Sequence, residues 1–198
     1  MGRAKQYDRE ALLGRAVDLF HRQGFNGTST AELVETLGVN RKTMYAEFGS
    51  KQELFEAVLE YYNDRNLSQV LARLEAPDAG ADAIRRAFAG YARASEGWAR
   101  GRGCLLCNTA VERAALDPGS ARHVDAYLQR LTAAFRNALG NAHTHGELHE
   151  PGDLDDLASF FMVSLIGVAA CAKAQASPAQ ISAACAVATG ILGPQAAG

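Results

Sequence analysis

An all-α protein is what this sequence predicts, and three observations carry the prediction. Alanine recurs throughout, five prolines interrupt 198 residues, and no stretch alternates apolar with polar residues for long, so helix is favoured almost everywhere. With 48% hydrophobic and 21% charged residues, the chain has enough apolar surface for a real core. The stretch Ala76-Pro77-Asp78-Ala79-Gly80 breaks the periodic pattern and separates a small N-terminal part from a larger C-terminal one. The expected division is 1–50, 51–76 (a connecting helix) and 77–198.

In the first element, Leu13, Ala16, Val17 and Phe20 recur at helical spacing over residues 8–23, Arg9, Arg15 and Arg22 lie outside the stripe, and Gly24 stops it. Ser29 and Glu32 form a capping box, in which each side chain satisfies a backbone N–H of the other, so the second helix starts at Thr30. Leu33, Val34 and Leu37 give it an inward face, and Gly38 permits the left-handed conformation that ends it. Asn40 then caps a third helix, Arg41 to about Phe48. With only Gly38 to Asn40 between them, the two helices have the outline of a helix-turn-helix. Ser50 and Glu53 repeat the box, and Leu54, Phe55, Val58, Leu59 and Tyr62 continue at helical spacing towards Leu74. One long fourth helix is expected.

Beyond the break, helices are expected from about Ala83 to Trp98, Cys104 to Ala115, Ala121 to Asn141, Leu154 to Ala174 and Pro178 to Leu192. Asp117-Pro118-Gly119 reads as punctuation, and His143, His145 and His149 as a polar loop, solvated rather than metal-binding. Ser177, Pro178 and Gln180 mark the start of the last helix. The last two helices are the most apolar part of the chain and rich in alanine, which suits either core or a dimer interface resembling half of a core.

Charge excludes little. The net charge is −2, and residues 1–66 carry nine Lys or Arg against ten Asp or Glu, so nucleic-acid binding has no general electrostatic support and must rest on placement. The N-terminal stretch is cut by Asp8, Arg9, Glu10 and Arg15, unlike a secretory signal, and no window is expected to reach the ~18 apolar residues of a membrane span. A cytoplasmic protein with four mostly reduced cysteines (Cys104, Cys107, Cys171, Cys185) is therefore expected. Cys104-x-x-Cys107 admits a thiol-dependent redox protein or enzyme, but the strand-helix context of such sites is missing. No cofactor or metal is expected.

In a helix-turn-helix, the first residues of the second helix reach the major groove. Here they are Arg41, Lys42 and Thr43, followed by Tyr45. Arg and Lys donate to guanine edges, Thr offers a methyl or hydroxyl, and Tyr reaches phosphate or a thymine methyl. Lys51 stands at a helix start, where backbone amides favour phosphate. Arg3 and Lys5 make a short basic arm that suits either DNA backbone or a solvated tail.

Gly24-Phe25, Thr28-Ser29, Gly38-Val39, Tyr45 with Phe48, and Ser50-Lys51 together resemble, in order, the DNA-binding domain of tetracycline-repressor-type (TetR) regulators. The resemblance implies an all-helical homodimer of about nine helices per subunit, with Thr28 and Ser29 joining Arg41, Lys42, Thr43, Tyr45 and Lys51 at the DNA and a ligand pocket in a C-terminal dimerisation domain. Two heads on a two-fold axis would read a near-palindromic double-stranded operator with half-sites one helical turn, roughly 34–36 Å, or a multiple apart. Gly103-Cys104-Leu105-Leu106, Asn108 and Ala172-Lys173 resemble the electrophile- and acrylate-responsive branch, which implies a sensing role for Cys104 and Lys173. Cys107 could then resolve an oxidised Cys104, unless both thiols are simply small buried hydrophobes. Phe88, Tyr91, Trp98 and Phe160 fall in helices that surround the pocket. With Asn108 and Lys173 as polar points, it would suit a small, partly hydrophobic or carboxylate-bearing effector.

Overall fold

The computed structural model describes residues 7–112, 117–148 and 152–193, and among these the chain is entirely helical. The basic arm (Arg3, Lys5) and His149 lie outside the described residues. Ten α-helices follow one another: α1 (Arg9–Gln23), α2 (Thr30–Leu37), α3 (Arg41–Phe48), α4 (Lys51–Tyr62), α5 (Ser68–Glu75), α6 (Ala81–Glu96), α7 (Leu105–Glu112), α8 (Pro118–Thr144), α9 (Leu154–Lys173) and α10 (Pro178–Gly190).

The caps act where local sequence puts them. Ser29 accepts from Glu32 N–H while Glu32 accepts from Ser29 N–H, Asn40 accepts from Thr43 N–H, Ser50 from Glu53 N–H, and Ser177 exchanges with Gln180. Gly38 ends α2 in the left-handed region at φ 67°, and its N–H returns to Val34 and Glu35.

Two boundaries differ from expectation. The fourth helix is interrupted by a π-helical turn, Asn63–Leu67, where Ser68 N–H reaches back five residues to Asn63; this makes ten helices of the expected nine. Such a widened turn leaves hydropathic periodicity almost intact, which is why the sequence reads through it. Asp117-Pro118-Gly119 is not a break but a helix start, with the Asp117 side chain capping Ser120 N–H and Pro118 in the first turn.

One continuous core runs from α1 to α10. Phe20, Phe25 and Phe55 pack at 4.8–6.2 Å between centroids beneath the α1–α2 turn. Phe88, Phe135 and Phe161 make a second cluster, 5.7–6.2 Å apart, where α6, α8 and α9 meet. Contrary to expectation, one helix is long and apolar enough to cross a membrane by length and composition: α9, with a mean hydropathy of 1.7. Its inner side packs on α8, while Phe160 and Val163 remain exposed.

Candidate DNA-reading face and thiol site

Arg41 and Lys42 are exposed on the first turn of α3, with Thr43 and Tyr45 half-buried beside them. The Asn40 cap, 2.8 Å from Thr43 N–H, fixes that turn. The Arg41 guanidinium lies 5.5 Å from the Tyr45 ring centroid and 3.5 Å from its hydroxyl. Hydrogen bonds from Thr30 and Arg41 hold the Tyr45 phenol below its usual range. Thr30 escaped the sequence reading, although it directly follows Thr28-Ser29.

Thr28 and Lys51 both bond within the chain. Thr28 is buried and donates to Gly24 O at 2.6 Å, while exposed Ser29 spends its hydroxyl on the α2 cap. The Lys51 ammonium donates to Phe25 O at 2.7 Å and stands 4.1 Å from the Phe25 ring centroid. A carbonyl and an aromatic face thus draw this cation onto the α1–α2 turn.

The second site is the start of α7. Cys104 and Cys107 are both buried, and the Cys107 thiol, the backbone N–H groups of Cys107 and Leu106, and the Tyr62 phenol surround the Cys104 sulfur. Led by the Cys107 bond and against the cost of burial, these lower the Cys104 pKa to about 6. Cys107 is pushed up, first because it donates to Cys104 and then by burial. Tyr91 also faces Cys104, and Tyr127 faces Cys107. Two thiols and three phenols therefore share one polar cluster, buried except at half-buried Tyr91. Tyr62 and Tyr127 were missed in the sequence because they sit on distant helices.

Asn108 and Lys173 both lie against Gly103, the residue before Cys104: a Cβ on Gly103 would meet Lys173 Cβ at 3.1 Å and Asn108 Oδ1 at 3.3 Å. Asn108 donates to Arg102 O at 2.7 Å. The Lys173 ammonium donates to His21 O and Arg22 O at 3.2 and 3.4 Å, where the carbonyl end of α1 attracts a cation. Phe88 is core, and Phe160 is exposed on α9. Tyr91 and Trp98 do line a cavity, between α5 and α6.

Both ends of α7 grip the N-terminal part. At its start, His21 Nε2 lies 3.1 Å from Gly103 O. Gly103 must be glycine: its φ is 66°, and a Cβ there would come within 2.7 Å of Ala169 O. At its end, Glu112 accepts the backbone N–H groups of Phe25 and Asn26 at 3.3 and 2.8 Å. The α1–α2 turn is thus held by Lys51 from one side and Glu112 from the other.

Residues 12–58 match the family model described as bacterial regulatory proteins, tetR family, and residues 80–188 match the tetracyclin repressor-like C-terminal domain. The uncharacterized HTH-type transcriptional regulator YezE of Bacillus subtilis is 33% identical over 89% of this chain and 91% of its own length. The HTH-type transcriptional repressor ComR of Escherichia coli is 32% identical over 89% of this chain and 84% of its own. Among solved structures, a cysteine mutant of the TetR family transcriptional regulator CifR, in complex with 26-bp double-strand operator DNA, is 26% identical with a TM-score of 0.80, covering 94% of this chain and 98% of that one. Reduced NemR of E. coli shares the fold, with a TM-score of 0.76 at 23% identity over 92% and 96% of the two chains. These relatives are named as regulators and repressors, which removes the thiol-dependent enzyme reading.

Proposed function

The chain belongs to the TetR family of bacterial regulatory proteins and is a DNA-binding transcriptional regulator, and from that premise we propose that modification of Cys104 or capture of an effector releases it from a near-palindromic operator. Residues 1–50 form the reading head, 51–76 the connection and 77–198 the sensing and dimerising part. Arg41 and Lys42 donate to base edges and phosphates, and Thr43 and Tyr45 complete the contact. The protein acts in the cytoplasm, as a homodimer through α9 and α10.

One observation supports the thiol route above others: α7 carries Cys104 at one end and Glu112 on the reading head's turn at the other. Eight residues of helix make a rod of about 12 Å. An adduct on the Cys104 sulfur puts a bulkier group in a closed space. The start of α7 must then shift, and its other end moves Phe25 and Asn26, which biases the heads away from half-site spacing.

Selection from random oligonucleotides supplies the operator sequence, on which affinity is then measured with and without N-ethylmaleimide. Wild type should lose about tenfold or more in affinity after modification, and Cys104→Ser should bind DNA normally without responding. An unchanged response in Cys104→Ser rejects the thiol as the trigger.

A further inference from the structure

Between α5 and α6 lies a cavity of about 270 Å³ that the thiol chemistry does not use. Its lining divides into three parts. Leu67, Val70, Ala83, Ala87 and Ala94 make apolar walls; Tyr62, Tyr91 and Trp98 supply aromatic surface; Arg73 and Arg86 are the charged groups, with Gln69 the one neutral polar side chain beside them. No carboxylate belongs to the lining among the described residues. Arg86 pairs with Asp82 one helical turn back, and both are largely exposed, so that pairing is weak.

Gly90 gives the cavity a second, independent mark. It lies inside α6, and a Cβ there would meet nothing within 4 Å. A glycine inside a helix costs about 0.5–1 kcal/mol relative to alanine, yet no steric reason in the fold requires one. The omitted side chain is open volume of the cavity itself.

We infer that this cavity binds a small organic monoanion with an apolar body, its charge held by Arg73 and Arg86 and its body laid against Tyr62, Tyr91 and Trp98. The inference rests on the regulator reading above and gives its effector a chemical class. Planar guanidinium groups pair with carboxylates through two parallel hydrogen bonds, and because the lining holds no carboxylate a neutral ligand would bring them no opposite charge beyond the exposed Asp82. Tyr62 precedes the π-helical turn and Leu67 ends it, so an occupant touches the chain at both ends of the segment where α4, bearing the reading head, gives way to α5. Tyr62 and Tyr91 line the cavity and also face Cys104, so cavity and thiol cluster share a wall.

Trp98 is the chain's sole tryptophan and is 61% exposed at the mouth, so its fluorescence reports on this site alone. The dimeric protein is titrated with benzoate, naphthoate and octanoate and with their corresponding alcohols. At least one carboxylate should give a saturable change, bound about tenfold or more tighter than its alcohol. Replacing both Arg73 and Arg86 by Gln should remove that preference. Gly90→Leu should block binding while Gly90→Ala retains it, and Ala94→Leu repeats the block if leucine at position 90 unsettles α6.

The inference is overturned if no carboxylate saturates, if the alcohols bind equally well, or if the double arginine or blocking variants bind like wild type. Titration of Cys104→Ser separates the two readings. Carboxylate binding retained there supports the cavity whether or not maleimide releases DNA; binding absent from wild type while maleimide still releases DNA removes the cavity alone.

Discussion

Cys104 is a thiol that the fold stabilises in its ionised form. Cys107, the α7 backbone and Tyr62 hold the Cys104 thiol below its usual range despite burial, which favours the nucleophilic thiolate. Alkylation by iodoacetamide, followed site by site by mass spectrometry, should rise with a midpoint near pH 6 at Cys104 and trail at Cys107. Cys107→Ala removes the leading cause and should move the Cys104 midpoint upward; a midpoint that stays put places the stabilisation elsewhere. His21 titrates with the opposite consequence for stability. Burial, aided by Lys173 and Arg102, lowers it from 6.5 to about 4 against the bond to Gly103. The native state holds neutral imidazole, while the unfolded chain takes up a proton as pH falls below 6.5. Stability is therefore full above pH 6.5, declines between 6.5 and 4, and is lower by about 3 kcal/mol beyond that. Urea midpoints across this window measure it, and His21→Gln should flatten the decline.

At the scale of elements, the reading helix is nearly self-specified. Asn40, the Gly38 left-handed end and the exposed Arg41-Lys42 pair all follow from neighbours in sequence, and so they were legible. Arg41→Ala should cost about 1–3 kcal/mol of operator binding and relax preference at one base pair, whereas Lys42→Ala should weaken binding to all sequences alike. Anisotropy on the selected operator and its single-base variants separates the two; uniform loss in Arg41→Ala would make it a phosphate contact. What the sequence hid were interactions whose partners lie far along the chain. Lys51 on Phe25, Lys173 on α1, and Tyr62 and Tyr91 on Cys104 depend on helix packing that no local spacing encodes. Glu112 is the sharpest case: a lone acid in sequence, it becomes the clamp on the α1–α2 turn. Glu112→Gln weakens a charge-assisted acceptor without removing its shape. It should leave operator affinity of the unmodified protein within about threefold while reducing the affinity lost on maleimide treatment. An undiminished maleimide effect would remove α7 from the path.

For the whole molecule, the apolar outer face of α9 and α10 decides how many chains act together. Phe160, Val163, Val187 and Ile191 are 41–77% exposed, and a groove of about 560 Å³ lined by Phe160, Gly167, Ala183, Ala184 and Val187 runs along this face. Only 28% of the apolar α9 window is buried within one chain, more exposed apolar surface than a lone helical pair would leave to water. In the proposed homodimer a second copy covers this face, and its small residues let helices from both chains approach closely. That pairing also sets the distance between the two α3 helices, so DNA affinity depends on it although no residue of α9 or α10 touches DNA. Val163→Glu combined with Val187→Glu places carboxylates on the seam without altering residues of the inner core. Sedimentation should show a monomer with unchanged helical content, and operator affinity should fall by about a hundredfold or more, because each head alone reads one half-site. A variant that remains dimeric would move the interface elsewhere, and a monomer binding DNA as tightly as wild type would detach DNA reading from dimerisation.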